Sequence, residues 1–214
     1  RMDSGAVQLV EHVPALIETL LGAVRPDLGV LPCGWLPLDI DVFPMDNSGT
    51  AKEGVGRTYT GVDGYCPLAA YLGTQGYCLE LALRPGVQHS ASGTQLDLKR
   101  IVPMAQRLSA GGGKAPILVR LDAGFDSADL MREMAACNSA GLPRVDWLIK
   151  WNPRSTPVER IATHNSGVSG IQQPPHPPDL PAPPDRPVRR IYRLTERTID
   201  KRGQPLLLPE YVLE

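Results

Sequence analysis

Along this chain apolar residues gather in short runs that end at glycine, proline or a carboxylate. The clearest run is Ile117-Leu-Val-Arg-Leu121, which stops at Asp122 and is followed by Gly124, Asp126 and Ser127. That profile predicts a strand buried on both faces, a tight turn and the start of a helix. A second apolar run, residues 35–41, also ends in carboxylates, Asp39 and Asp41, on a strand expected over 35–43, and Asp46 follows shortly after it. Ahead of it, residues 6–24 place Val10, Val13, Ile17, Leu20, Leu21 and Val24 on one helical face, with Pro14 starting or kinking the helix. Residues 49–64 read as a polar, glycine-rich connection. The runs at 65–72 and 77–83, separated by Gly73-Thr-Gln-Gly76, predict a β-hairpin. Leu98, Ile101, Val102, Ala105 and Leu108 define a second helix, for which Ser90, Ser92 and Thr94 are the candidate caps and Pro103 is a flaw. A third helix is expected over 126–140 and a further strand over 145–151.

The first three strands suit an antiparallel meander. The later ones, separated by helices, require parallel crossovers. The expected fold is therefore α/β, a mixed sheet with flanking helices. From residue 152 to 187 the periodicity dissolves into a proline-rich spacer, which holds 10 of the chain's 22 prolines. Residues 188–198 then alternate apolar and charged positions as a half-exposed strand does, and Asp200-Lys-Arg-Gly203 signals a turn into a return strand. The expected organisation is a helical segment (1–34), the first part of a catalytic core (35–151), a linker (152–187) and the beginning of a β-rich insertion (188–214). The last run ends without a cap and reads as a strand cut short, so the chain is expected to be a fragment.

Composition changes this picture little. With 214 residues, 42% of them hydrophobic and 21% charged, the chain is an ordinary globular sequence. A net charge of −1 gives no bulk signature of a nucleic-acid binder, so any such role must rest on local patches. The 4 cysteines include no Cys-x-x-Cys pair, and with 4 dispersed histidines they make no zinc signature. They read as reduced thiols of a cytosolic protein. No signal peptide or membrane-length apolar run is evident.

The chemistry that remains is that of the carboxylates. Two aspartates brought together repel each other unless a cation neutralises them. Mg²⁺ needs few protein carboxylates and keeps positions open for water and phosphate oxygens. Two such ions can activate a nucleophile and stabilise the leaving oxygen in phosphodiester displacement. The first strand of a meander is central to its sheet, and the strand after the first crossover can pair beside it. Asp122 would then approach the carboxyl end of the first strand, the edge where open α/β sheets gather functional groups.

This order of elements, with Asp at the two strand ends, resembles the RNase H-like fold. In its residues the chain resembles the DDE-type transposases of bacterial insertion sequences, most closely the thirteen-eighty group. The segments that carry the resemblance are Leu38-Asp-Ile-Asp-Val-Phe-Pro-Met-Asp-Asn-Ser-Gly49, Lys52-Glu-Gly54, Asp63-Gly-Tyr65 with Pro67-Leu68, Leu83-Arg-Pro-Gly86, Leu118-Val-Arg-Leu-Asp-Ala-Gly-Phe125 and Tyr192-Arg-Leu-Thr-Glu-Arg-Thr198. What the resemblance implies is a transposase that cleaves DNA at insertion-sequence ends with Mg²⁺ or Mn²⁺ and joins the 3′ end to target DNA. Its implied partner is double-stranded DNA, its implied full-length state a homodimer, and its implied location the bacterial cytoplasm at the nucleoid.

Under the resemblance Asp41 is the first catalytic, metal-binding aspartate and Asp122 the second. Asp39 and Asp46 remain rivals for the first role. Asp39 shares a strand face with Asp41, and Asp46-Asn-Ser48 has an acidic-x-hydroxyl pattern; Asp41 is preferred as the residue nearer the strand end. The third acidic residue of the family, a helical glutamate, lies beyond this chain. Glu196 sits on a predicted strand, and Thr195 stands where the family's arginine should be. The active site is therefore expected to be incomplete and the isolated chain unable to cleave DNA. DNA contact is assigned to Lys52 and Arg57 after the first strand, and to Arg189, Arg190, Arg193 and Arg197 around the later hairpin, beside Arg186, Lys201 and Arg202. Gly111-Gly-Gly-Lys114 lacks the earlier glycine and the Ser/Thr of a phosphate loop, and it precedes a strand where such a loop follows one. His89 is given no catalytic role, and Trp35, Trp147 and Trp151 read as core or linker anchors. The alternatives are a metal-dependent nuclease of the same fold, or an inactive remnant serving as a DNA-binding or structural module.

Overall fold

A computed structural model describes residues 4–152, 194–200 and 202–213. Two compact units divide the chain, residues 1–150 and 151–214. The first is an α/β unit built on a five-stranded mixed sheet whose order across the sheet is Tyr77–Ala82 (β6), Leu68–Leu72 (β5), Leu36–Val42 (β1), Ile117–Leu121 (β7) and Val145–Ile149 (β8). The central strand, β1 (Leu36–Val42), pairs antiparallel with β5 (Leu68–Leu72) on one side and parallel with β7 (Ile117–Leu121) on the other. β6 (Tyr77–Ala82) completes the predicted hairpin with β5, and β8 (Val145–Ile149) extends the parallel side. One face of this sheet is the core. Leu38, Ile40, Leu68, Leu72, Ile117 and Val119, all 2% exposed or less, face α2 (Thr94–Gly112) and α3 (Ala128–Ala136).

The predicted helices form, with corrections. Pro103 lies within α2 and does not end it. Its cost of about 3 kcal/mol is outweighed by Leu98, Ile101, Val102 and Met104, each contributing about 2 kcal/mol when buried on the sheet. The cap is not a hydroxyl: Gly93, with φ 78°, precedes the first turn, and the Thr94 hydroxyl donates back to the Ser90 carbonyl. The third helix is shorter than the expected 126–140 at both ends. Asp122 nucleates a 3₁₀ turn (Ala123–Phe125) so that α3 starts only after Ser127, and α3 stops at Ala136, beyond which the Asn138 amide side chain turns to the backbone of Val145.

The first helix, α1 (Ser4–Val24), runs through Pro14. Of the face expected to dock, Ile17 and Leu21 pack on the core, while Val13, Leu20 and Val24 are exposed, as is Leu16. At about 100° per residue the apolar stripe is wide. Glu18, paired with Arg107 of α2, pulls the helix onto one edge of that stripe. Val10 lies where side chains are outside the described residues.

The connection over 49–64 contains structure that its composition hid. β2 (Met45–Asp46), β3 (Gly56–Arg57) and β4 (Asp63–Tyr65) form a small sheet in the order β2-β4-β3. Strands of two or three residues carry no period to read. Glycines let its layers touch: a Cβ on Gly64 would lie 2.0 Å from the Met45 carbonyl oxygen, and one on Gly86 would lie 2.1 Å from that of Gly64.

In the second unit β9 (Leu194–Ile199) and β10 (Pro205–Leu213) pair antiparallel around a turn in which the Asp200 carboxylate accepts from the amides of Arg202 and Gln204. Most of the expected spacer lies outside the described residues. Among the described residues no helix is long and apolar enough to cross a membrane.

Candidate functional site

The parallel pairing of β1 with β7 decides where the carboxylates go. Leu36 stands opposite Ile117 and Asp39 opposite Arg120, a constant offset of 81 residues (117 − 36 and 120 − 39). The same offset carries Asp41 onto Asp122 (122 − 41 = 81), just past the last paired residues, where neighbouring strands run about 4.8 Å apart. Alternation turns Leu38 and Ile40 into the core and leaves Asp39 and Asp41 on the opposite face. Asp41 and Asp122 are both exposed at this edge.

Each carboxylate is held by its own backbone. The Val42 amide donates to Asp41 Oδ1 at 2.8 Å, and the Gly124 amide donates to Asp122 Oδ1 at 2.9 Å, which makes Asp122 the cap of the 3₁₀ turn. Partial burial raises the Asp41 carboxyl above the usual aspartate range; the Val42 hydrogen bond opposes this, and the negative charge of Asp122 adds to it. The two side chains are thus electrostatic neighbours although they are far apart in sequence.

The rivals for the first role are engaged elsewhere. Asp39 makes a two-pronged ion pair with Arg120, Nε to Oδ1 and Nη2 to Oδ2, both at 2.5 Å. Asp46 accepts from the Ser48 amide at 2.8 Å in a local turn, and the Ser48 hydrogen bonds lower its carboxyl.

Two side chains absent from the sequence reading join the site. The Tyr59 hydroxyl donates to the Val42 carbonyl at 3.4 Å; partial burial, then the neighbouring Cys66, Asp41 and Asp122, raise its phenol. Cys66 is buried, and burial pushes its thiol up; the Arg84 guanidinium opposes that shift and Asp41 adds to it. Tyr59 sits in the aperiodic connection, so no pattern marked it. Ser90 is a third neighbour, since a Cβ on Gly124 would lie 2.7 Å from its hydroxyl oxygen and 3.1 Å from Asp122 Oδ1.

The donor set is hard oxygen, open to water, and fits a magnesium-like ion better than a soft one. Asp41 and Asp122 are the residues that could hold it. Among the described residues no group of three or more His, Cys, Asp or Glu side chains is placed to hold a metal. All four cysteines are free thiols.

The proposed DNA contacts divide. Lys52 and Arg57 lie on the small sheet and its loop, exposed, with Lys52 Nζ donating to Asn47 Oδ1 and Arg57 paired to Asp63, each at 3.4 Å. Arg186, Arg189, Arg190, Arg193 and Lys201 lie outside the described residues, as does the side chain of Arg197 in β9; Arg202 is exposed in the turn. No protein-family model, curated protein or solved structure matches this chain.

Proposed function

We propose that the first unit is an RNase H-like catalytic core of the transposase type, acting on DNA phosphodiesters with Mg²⁺ or Mn²⁺ at Asp41 and Asp122. The observation that carries this reading is the meeting of the two aspartates at adjacent carboxyl ends of β1 and β7. The strand order supports it, since an antiparallel meander followed by parallel crossovers puts the aspartate-bearing strands side by side at the centre. A divalent ion held there would supply charge neutralisation at a phosphate and lower the pKa of a bound water. The protein's own part is to orient two carboxylates through the Val42 and Gly124 amides and to leave the edge open to a duplex. Lys52 and Arg57, on the segment that follows β1, would meet phosphates on either side of the scissile bond.

A remnant that only binds DNA is favoured by one specific observation, the absence of a third metal-binding side chain among the described residues. Fluorescence anisotropy with a DNA duplex, in Mn²⁺ and in EDTA, tests the reading. Mn²⁺ should tighten binding in the wild type, and Asp41→Asn and Asp122→Asn should abolish that gain. Binding that ignores both Mn²⁺ and the substitutions would refute it. The chain alone should leave supercoiled DNA un-nicked in Mn²⁺. Nicking that is lost on Asp122→Asn would show that two carboxylates suffice.

A further inference from the structure

Arg84 is buried at 5% exposure, yet no carboxylate is among its hydrogen-bond partners. Its guanidinium instead donates to the carbonyls of His89 (2.9 Å), Ser90 (3.3 Å) and Ser92 (2.5 Å), and to the Thr94 hydroxyl (3.4 Å). Thr94 in turn donates to the Ser90 carbonyl at 2.6 Å. Burying a cation is costly, and a planar guanidinium is the one side chain that reaches several carbonyls at once. Here all of those acceptors belong to the loop over residues 85–93 and the first residue of α2. The loop's other end is fastened beside the small sheet: the Gly86 amide donates to the Gly54 carbonyl at 3.1 Å in the turn before β3, and Pro85 bridges Tyr65 at the end of β4. Between these anchors Ser90 is pressed onto Gly124, whose amide holds the Asp122 carboxylate.

We propose that Arg84 is a positioning residue for Asp122: by clamping the 85–93 loop it sets Ser90 against Gly124 and so fixes the turn that aims the carboxylate at Asp41. The functional consequence rests on the metal-binding reading above, while the geometric one does not. Arg84→Lys keeps the charge but reaches fewer carbonyls. It should leave amide hydrogen exchange at Leu38 and Ile40 unchanged and speed exchange at the Gly124 amide at least about tenfold, because the Ser90 contact no longer holds the turn. Mn²⁺ affinity, measured by calorimetry on the full chain, should fall several-fold in the same variant.

Should Arg84→Lys fail to fold, Gly124→Ala decides. Its Cβ displaces Ser90, so exchange at residue 124 should rise, and adding Ser90→Gly, which removes the two atoms nearest that Cβ and leaves Asp122 Oδ1 at 3.1 Å, should reverse most of the rise. Wild-type exchange at Gly124 in Arg84→Lys, or no reversal in the double variant, overturns the proposal. A wild type that binds no Mn²⁺, or an Asp122→Asn variant that binds it equally well, refutes the metal reading instead, and the exchange data still decide the role of Arg84.

Discussion

Two like charges at one strand edge cost stability, and removing one should restore it. Asp122→Asn is the informative change, because asparagine keeps an oxygen to accept the Gly124 amide and so preserves the turn. Neighbouring strands run about 5 Å apart, which sets the scale of the separation, and both residues are exposed, so the screening is close to that of water. Coulomb's law then gives about 0.8 kcal/mol of repulsion at an effective dielectric of about 80. The sign follows from Asp41. Its carboxyl is raised above the ordinary value of 3.8, so the folded state holds the proton more tightly than the unfolded chain does. Stability is therefore greatest below that value and declines as pH rises from there through the raised folded pKa. Asp122→Asn removes one contribution to that raised value. In EDTA at pH 8 it should stabilise the first unit by about 0.5–1 kcal/mol, about 2–3 °C in Tm, and at pH 3 the difference should vanish. Thermal unfolding at the two pH values measures both. Saturating Mn²⁺ should reverse the ranking, adding about 2.7 kcal/mol to the wild type at a hundredfold excess over Kd and nothing to the variant. A variant that is less stable at pH 8, or equally shifted at both pH values, would refute the reasoning.

Three further expectations follow from the geometry. Asp39→Asn breaks the Arg120 pair, which is about 40% exposed on both sides, so it should cost at most about 1 kcal/mol in urea unfolding and leave Mn²⁺ affinity intact, whereas Asp41→Asn should abolish that affinity. Glu18→Gln should loosen α1: hydrogen bonding to Arg107 holds the Glu18 carboxyl below its usual range, so its contribution is present above the unfolded value and lost as pH falls through the folded one, and wild-type and variant unfolding curves should converge in acid. Gly86→Ala would put a Cβ 2.1 Å from the Gly64 oxygen and 2.4 Å from that of Gly56, both backbone atoms, so the small sheet must move by about 1 Å and the unfolding free energy should drop by about 1–3 kcal/mol.

Much of the sheet was legible because its strands carry period or punctuation. The 65–83 hairpin turned on Gly73 and Gly76, and β7 was bounded by Pro116 and Asp122, so these ends were found within a residue or so. The first arm of the hairpin begins only at Leu68, three residues later than expected, because residues up to Tyr65 belong to the small sheet. What escaped lacked either signal. The small sheet is built from pairs of two or three residues held by glycine-to-carbonyl approach, which leaves no alternation to see. Docking of α1 through Ile17 and Leu21 depends on Glu18 finding Arg107, a contact between residues 89 apart. The Asp39 and Asp41 alternatives could not be separated by alternation, which puts both on one face; only the position of Arg120 on the neighbouring strand draws Asp39 away. Arg84 stood out within the 83–86 segment that carries the resemblance, but its acceptors are backbone carbonyls, which no side-chain pattern announces.

The most direct test of the shared site is paramagnetic broadening of the amide spectrum on titration with Mn²⁺. The Val42 and Gly124 amides, each bonded to one of the two carboxylates, should broaden first and together, and Asp122→Asn should remove the effect at both. Broadening that begins around Asp39 or Asp46, or that reaches Val42 without Gly124, would contradict a common ion between Asp41 and Asp122.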